Sequence, residues 1–420
     1  ADAQMDAAAD AQMDAAADAG SDACIPEVCN REDDDCDDFA DEELYQPGED
    51  LPLAEAVEPT DLRGDYSAPL NQFGAVWHDE EGNVVTFGLI DDGGNILQAG
   101  ETLQNAARSS DVCWDGHHWT VVFSHETGTG TSEAFWARFS SVDGQLLGEP
   151  QPIEEAPTES TRAERTRPKQ IRCGHAIVDG QHLVGVIWNG VEQDETLGSI
   201  LGYYATRQLL VSTEDSIEPE SPEDLDFHSD QQLVDPAIVG ADDLFITAWS
   251  AIVPRSEPGE TTPAEIRGAQ VEADGTVQRL GPSEANPAHE RDLELGFDPR
   301  SRVVALGYRK DDGESTVPHT LRFRLGDGFP PQGEPFEQQP LMSTEPAYAG
   351  DLAFGHLVGA QPQIIRLRSE DGMLVDETLV DRTFEFSLAF PMGVPVGPFR
   401  YGILWTDGNL VNIHLVGCSG

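Results

Sequence analysis

Lysine is almost missing from this chain: only Lys169 and Lys310 occur in 420 residues. Lys plus Arg amount to 24 against 78 Asp plus Glu, a formal charge of −54. A surface so short of cations excludes tracking of nucleic-acid phosphates and adsorption to anionic membranes. Long apolar runs are also missing, and nothing approaches the roughly 18 residues of a membrane-spanning helix. The sequence holds no G-x-S-x-G elbow, H-E-x-x-H helix, P-loop, dinucleotide-binding glycine pattern or C-x-x-C-H site. Aromatic residues make up only 7 %, but 39 % hydrophobic residues suffice for a core, so the chain is not disordered throughout.

What is abundant is acid, and it falls into two parts. Residues 1–50 carry 18 acidic side chains and one arginine; the rest of the acid is spread thinly over the remaining chain. Such a surface suits salt or multivalent cations, which screen its self-repulsion. The chain starts at Ala1 and not at Met, which predicts a processed, exported protein. Six cysteines (Cys24, Cys29, Cys36, Cys113, Cys173, Cys418) fit three disulfides formed in an oxidising compartment.

Three regions follow from the composition. Residues 1–23 are low in complexity, with DAQMDAAA repeated at Asp2 to Ala9 and Asp10 to Ala17. Aspartates spaced by four stack like charges on one face and leave nothing to bury, so this is a disordered or extended tether. Residues 24–50 form a Cys- and Asp-rich segment, and residues 51–420 read as short alternating apolar runs separated by Gly, Asp and Pro, the pattern of an all-β domain.

Within 51–420 the runs repeat. Trp114 to Phe123, Val178 to Trp188, Gly240 to Trp249 and Phe297 to Tyr308 each read as strand, tight turn, strand. Their turns, at Asp115, Asp179, Asp242 and Asp298, stand 64, 63 and 56 residues apart. Second hairpins follow at Phe135 to Leu147, Ile266 to Leu280 and Ile364 to Val375, where Asp-Gly predicts type I′ turns with both central residues at positive φ. A four-stranded antiparallel unit at this period is the signature of a β-propeller. Units near 60–104, 108–153, 168–212, 232–281, 289–337, 343–380 and 384–417 give seven blades, or six if 343–380 belongs to its neighbours. The last unit has three strands, and Leu51 to Glu58 is expected to supply its fourth; Thr213 to Ser229 and Ser250 to Thr262 read as polar insertions. Trp77, Trp188, Trp249 and Trp405 end comparable strands and are expected in the core. His117 and His118 beside a turn are expected to point to opposite faces.

The most specific motif is CIPEVCNREDDDCDDFADEE, Cys24 to Glu43. Asp33, Asp35 and Asp37 alternate as in a calcium loop that Asp41 and the carbonyl of Phe39 would complete. A ligand set made only of oxygen favours hard Ca²⁺ over zinc or copper. Leu44 occupies the position where an EF-hand carries glutamate, so this is not an EF-hand. A Cys29–Cys36 bridge would hold the loop closed and leave Cys24 for Cys418, while Cys113 and Cys173 begin adjacent repeats; spacing alone leaves the connectivity open.

The motif resembles the Cys/Asp-rich metal-binding repeat of secreted bacterial proteins, also found in copper-binding surface proteins such as MopE, and the tether is similar to the Asp/Ala spacers of myxobacterial surface lipoproteins. Arg31 and Asp38 replace the glycines usual in that motif. The resemblance implies metal binding and attachment at the outer cell surface, with any lipid anchor on a residue outside this chain. The expectation is an extracellular or cell-surface calcium-binding β-propeller without catalytic residues. It would serve as a binding or structural module whose partners are calcium ions and other protein subunits or surface glycans, and its tail would take part in assembly. The alternative is a secreted hydrolase or lyase acting on polysaccharide at the central opening; SVDGQLL (Ser141 to Leu147) and SEDGMLV (Ser369 to Val375) match the Asp-box turn of glycan-acting propellers only in part.

Overall fold

The computed structural model describes most of residues 45–418; residues 1–44, the stretches 154–162, 254–263, 282–288, 336–346 and 380–391, and shorter breaks lie outside the description. The described residues form 29 strands and no helix. The first strand is β1 (Tyr45–Glu55). The next four, β2 (Thr60–Ser67), β3 (Gln72–Asp79), β4 (Val84–Asp91) and β5 (Ile96–Leu103), form one antiparallel sheet in chain order. A second follows with β6 (Ala107–Trp114), β7 (Trp119–Glu126), β8 (Ser132–Phe139) and β9 (Gln151–Pro152). The third has β10 (Ala163–Val178), β11 (Gln181–Asp194), β12 (Ile200–Ser212) and β13 (Ile217–Pro219), with β14 (Glu223–His228) also paired to β12.

The fourth sheet contains β15 (Gln232–Ala241), β16 (Leu244–Ile252), β17 (Ala264–Glu272) and β18 (Val277–Arg279). The fifth contains β19 (His289–Asp298), β20 (Val303–Asp311), β21 (Thr316–Arg324) and β22 (Glu334–Pro335), and the sixth β23 (Ala347–Tyr348), β24 (Ala353–Val358), β25 (Gln363–Arg368) and β26 (Leu374–Leu379). The last sheet joins both ends of the described chain: β27 (Met392–Pro395), β28 (Arg400–Asp407) and β29 (Leu410–Cys418) pair in order, and β1 lies antiparallel to β29. β1 begins at Tyr45, earlier than the strand expected from Leu51.

Burial explains why the second and third strands of each unit read as nearly continuous apolar runs. In β16 every residue after Leu244 is buried, while the outer strand β5 is mostly exposed or half-buried. Each sheet is covered on both faces by its neighbours. Val76, Phe87 and Leu89 of the β2–β5 sheet pack on Val112, Trp119 and Phe139 of the next. Cys113 and Val122 then meet Val184, Trp188 and Tyr204. Across the ends of the chain, Leu53 and Ile413 pack on Phe73 and Trp77. Trp77, Trp188, Trp249 and Trp405 are all buried, as expected, each removing a large apolar surface from water.

The first strands of the sheets face one another around a common centre: β2 contacts β6, β6 contacts β10, and the series continues through β15, β19, β23 and β27, with β27 also touching β2. This arrangement of radiating antiparallel sheets is that of a β-propeller. Close approach at the centre requires glycine at Gly240, where a Cβ would lie 1.7 Å from the carbonyl oxygen of His175 on the adjacent strand.

Two details differ from the sequence reading. At the Asp-Gly turns 143–144, 274–275 and 371–372 only the glycine has positive φ, so these are not type I′ turns. Each aspartate instead accepts the N–H two residues on, from Gln145, Thr276 and Met373, holding a wider loop. Asp179-Gly180, with both residues at positive φ, does satisfy the type I′ requirement. The segment 213–229, expected as an insertion, supplies β13 and β14, because Leu225 and Asp226 are buried against the neighbouring sheet.

Candidate functional site: the central cavity

The centre is built from the beginnings of the inner strands. Asp61, Asp235 and Asp292 hold positive φ at register shifts in β2, β15 and β19, a bulge that aspartate tolerates better than most residues. The carboxylate of Asp61 accepts the N–H of Ser110 on the next strand at 2.8 Å, and that of Asp235 accepts the N–H of Asp292 at 3.2 Å. Gln170 pairs with Asp235 through both its side-chain atoms. Deeper in the centre the pattern recurs. Asp65 accepts the N–H of Trp114 at 2.7 Å, and Asp111 that of Cys173 at 2.9 Å. Each of these carboxylates joins neighbouring sheets through an inner-strand N–H that would otherwise have no strand partner.

Just beyond their register shifts, β2, β6, β10, β15 and β19 carry Arg63, Asp111, Arg172, Ala237 and Glu294. Of these, Arg63, Asp111, Arg172 and Glu294 help to line a cavity of about 280 Å³, together with Asp65 and His175. Arg63 and Glu294 form an ion pair across it, although β2 and β19 are not adjacent. Cys113 and Cys173, which lie on adjacent inner strands as the spacing suggested, are joined by a disulfide at the cavity wall.

Burial dominates the electrostatics. It pushes the Asp111 carboxyl up to about 7 against the pull of Arg172 and Arg63, and the Asp65 carboxyl up to about 6 despite the N–H groups of Trp114 and Tyr66. Arg172 is 8 % exposed. Its Nη1 donates to Ser109 Oγ at 3.2 Å and to the carbonyl of Ile171 at 2.8 Å, and its Nε has no partner.

His175, in the cavity wall, belongs to a histidine group. Nε2 of His175 lies 3.0 Å from Nδ1 of His182, and the His117 ring meets His182 edge-on. Burial, reinforced by the charge of His182, pushes the His175 imidazole down to about 4. His117 and His118 do not alternate as strand neighbours. Both lie in the β6–β7 turn, and both donate their N–H to the buried carboxylate of Asp115. Burial opposes the charge of Asp115, but two hydrogen bonds from Arg138 and these N–H groups outweigh it and hold its pKa below the usual range. Arg138 continues to the carbonyl of Thr213, tying this turn to the next sheet.

The expected calcium ligands Asp33, Asp35, Asp37, Phe39 and Asp41 lie outside the described residues, as do Cys24, Cys29 and Cys36. Among the described residues no group of three or more His, Cys, Asp or Glu side chains is placed to hold a metal ion. Also among them, no helix is long and apolar enough to cross a membrane. Sequence reasoning missed Arg63, Asp65, Asp111, Arg172 and Glu294. Aligning the inner strands from their bulges would have shown the alternation of charge.

No family model and no curated protein matches the chain. Among solved structures it is similar to the Dos1 propeller, at 7 % identity over 90 % of this chain and 97 % of that one, with a TM-score of 0.48. It is also similar to the Cps50 (Swd1) β-propeller domain of Myceliophteria_thermophila, at 10 % identity over 87 % and 98 %, TM-score 0.45. A thermostable family-43 glycoside hydrolase matches at 11 % identity over 69 % and 97 %, TM-score 0.38. Likeness this distant assigns no function, and the strand order and inner-strand contacts carry the conclusion that the chain has a β-propeller fold.

Proposed function

We propose that the chain is a seven-bladed propeller, closed by the pairing of β1 with β29, that works as an exported, calcium-binding module without catalytic residues of its own. The observation that carries the non-catalytic reading is the use made of the central carboxylates. Asp65 and Asp111 each give an oxygen to an N–H of the neighbouring sheet and the other to the N–H of the following residue. An acid or base tied down in this way has little freedom to serve a substrate. The calcium reading rests on the spacing of Asp33, Asp35, Asp37, Phe39 and Asp41, just ahead of the strand that closes the ring. An ion there would stiffen the junction between tether and propeller and set the orientation of the ring, whose partners would be other subunits or surface glycans.

Thermal unfolding of the full chain with excess calcium and with chelator tests this. The reading expects a lower melting temperature in chelator; identical curves contradict calcium binding. A second reading, a polysaccharide-acting hydrolase, is favoured by one observation: two carboxyls with raised pKa values beside a cavity. Turnover of any glycan that is lost on Asp111→Asn would establish it in place of the first.

A further inference from the structure

We propose that the cleft between the second and third sheets docks an arginine side chain of a basic partner peptide, seated on Trp136 and held by Glu214 and Asp215. The inference rests on the binding-module reading and names the partner chemistry of one of its surfaces.

The cleft, of about 690 Å³, opens where β8 and β9 of one sheet face the β12–β13 turn and β13 of the next. Trp136 on β8 packs against the core beneath it and also lines the cleft, beside Leu147, which is 47 % exposed. An apolar wall with a few polar groups at its rim is the usual build of a binding site. The two basic groups of the lining are already engaged. Arg138 donates to Asp115, to Ser212 Oγ and to the carbonyls of Thr213 and Glu214. His118 accepts the N–H of Ser141 at Nδ1 and meets the Glu214 carbonyl with Nε2; burial, then the charge of Arg138, pushes its pKa down, so it is neutral at pH 7.

The same bonds position the acids. With the Thr213 and Glu214 carbonyls held from below, Thr213 N–H donates to the Ser216 carbonyl at 2.9 Å, and Ser216 N–H to Thr213 Oγ1 at 3.0 Å. Glu214 and Asp215 form the tip of this pinned turn and line the cleft, and among the described residues neither carboxylate has a cationic partner.

An indole beside two unpaired carboxylates favours a cation, which is attracted by the ring face and by the acids together. A guanidinium suits this better than an ammonium: it is planar, stacks on the ring and offers parallel donors to a carboxylate. The formal charge of −54 acts in the same sense, drawing in a basic peptide and opposing an acidic surface. A neutral glycan would stack on the same indole but gain nothing from the charge of Glu214 and Asp215, and Leu147 and Ile217 offer its hydroxyls no side-chain partner.

Isothermal titration of the full chain with tetra-arginine amide tests the proposal, in about 0.15 M salt to screen the general acidity of the surface. Tetracitrulline amide, tetralysine amide and maltohexaose serve as comparisons. The expected result is saturable binding of tetra-arginine with a Kd of roughly 0.1 mM or tighter, weaker binding of tetralysine, and none of the two neutral compounds. Glu214→Gln combined with Asp215→Asn should weaken binding about fivefold or more, and Trp136→Leu, which keeps an apolar wall without the ring, about threefold or more. Asp243→Asn combined with Glu272→Gln removes the same charge from exposed positions of the fourth sheet and should leave binding unchanged. Glu214 and Asp215 are exposed at a turn tip, so their variant answers even if Trp136→Leu fails to fold. No saturable binding, equal binding of tetracitrulline, tighter binding of maltohexaose, full affinity in the Glu214/Asp215 variant, or an equal loss in the Asp243/Glu272 variant would each overturn the proposal. None of these outcomes touches the module reading, which fails instead on glycan turnover.

Discussion

Arg63 on β2 and Glu294 on β19 are 231 residues apart and meet across the centre of the molecule, joining strands of sheets that are not neighbours in the series. The pair clamps opposite sides of the inner wall, and each side chain is 16 % exposed. Glu294→Gln should therefore leave a largely buried guanidinium short of its partner and cost about 2–4 kcal/mol in urea unfolding. Arg63→Met combined with Glu294→Met should cost less than the sum of the two single changes, because only Asp61, which keeps the N–H of Ser110, then loses a charged partner.

Asp111 holds its proton more tightly in the folded protein, with a pKa of about 7 against 3.8 for an ordinary aspartate. Between those values the folded state carries the extra proton, so the stability contributed by this group falls as pH rises. Asn cannot titrate. Asp111→Asn should thus be more harmful relative to wild type at pH 5 than at pH 8, the penalty shrinking by about 2 kcal/mol over that span. Urea midpoints at the two pH values check the sign.

Asp115 and Arg138 have the opposite dependence. The folded-state pKa of Asp115 is depressed, so its contribution is complete above the ordinary carboxylate range and is lost as pH falls below it. Because the pair is buried, Arg138→Met should cost about 3–5 kcal/mol at pH 7 and noticeably less near pH 3. It should also loosen the turn around Thr213, measurable as faster amide exchange there.

Gly240→Ala introduces a methyl group where the backbone of β10 already stands. The two inner strands would have to separate, with a predicted loss of about 1–3 kcal/mol, read as a lower melting temperature. Gly180→Ala meets no atom within 4 Å and is strained only by its φ of +78°, so it should cost less.

The repeat was legible because every blade must bury the same strands: the recurring tryptophans and the turns at Asp115, Asp179, Asp242 and Asp298 mark the same places in successive sheets. Turn geometry was less legible. Asp-Gly is compatible with both a two-residue turn and the wider loops at 143–144 and 371–372, and only the cross-strand register separates them. The cavity was the hardest part to foresee. Arg63, Asp111, Arg172 and Glu294 are isolated charges in separate repeats, tens of residues apart, and a bulge at the start of each inner strand sets which of them faces the centre. His117 and His118 illustrate the same difficulty, since the Asp115 carboxylate that bends their backbone draws both out of strand alternation.

The account holds that the central carboxylates join sheets and do not act on substrates. Assay of the full-length protein and of Asp111→Asn against a panel of neutral and acidic polysaccharides, by release of reducing ends and of unsaturated products, addresses this directly. The account predicts no turnover by either protein, together with a reduced stability of the variant. Turnover by the wild type that disappears in a folded Asp111→Asn protein would contradict it.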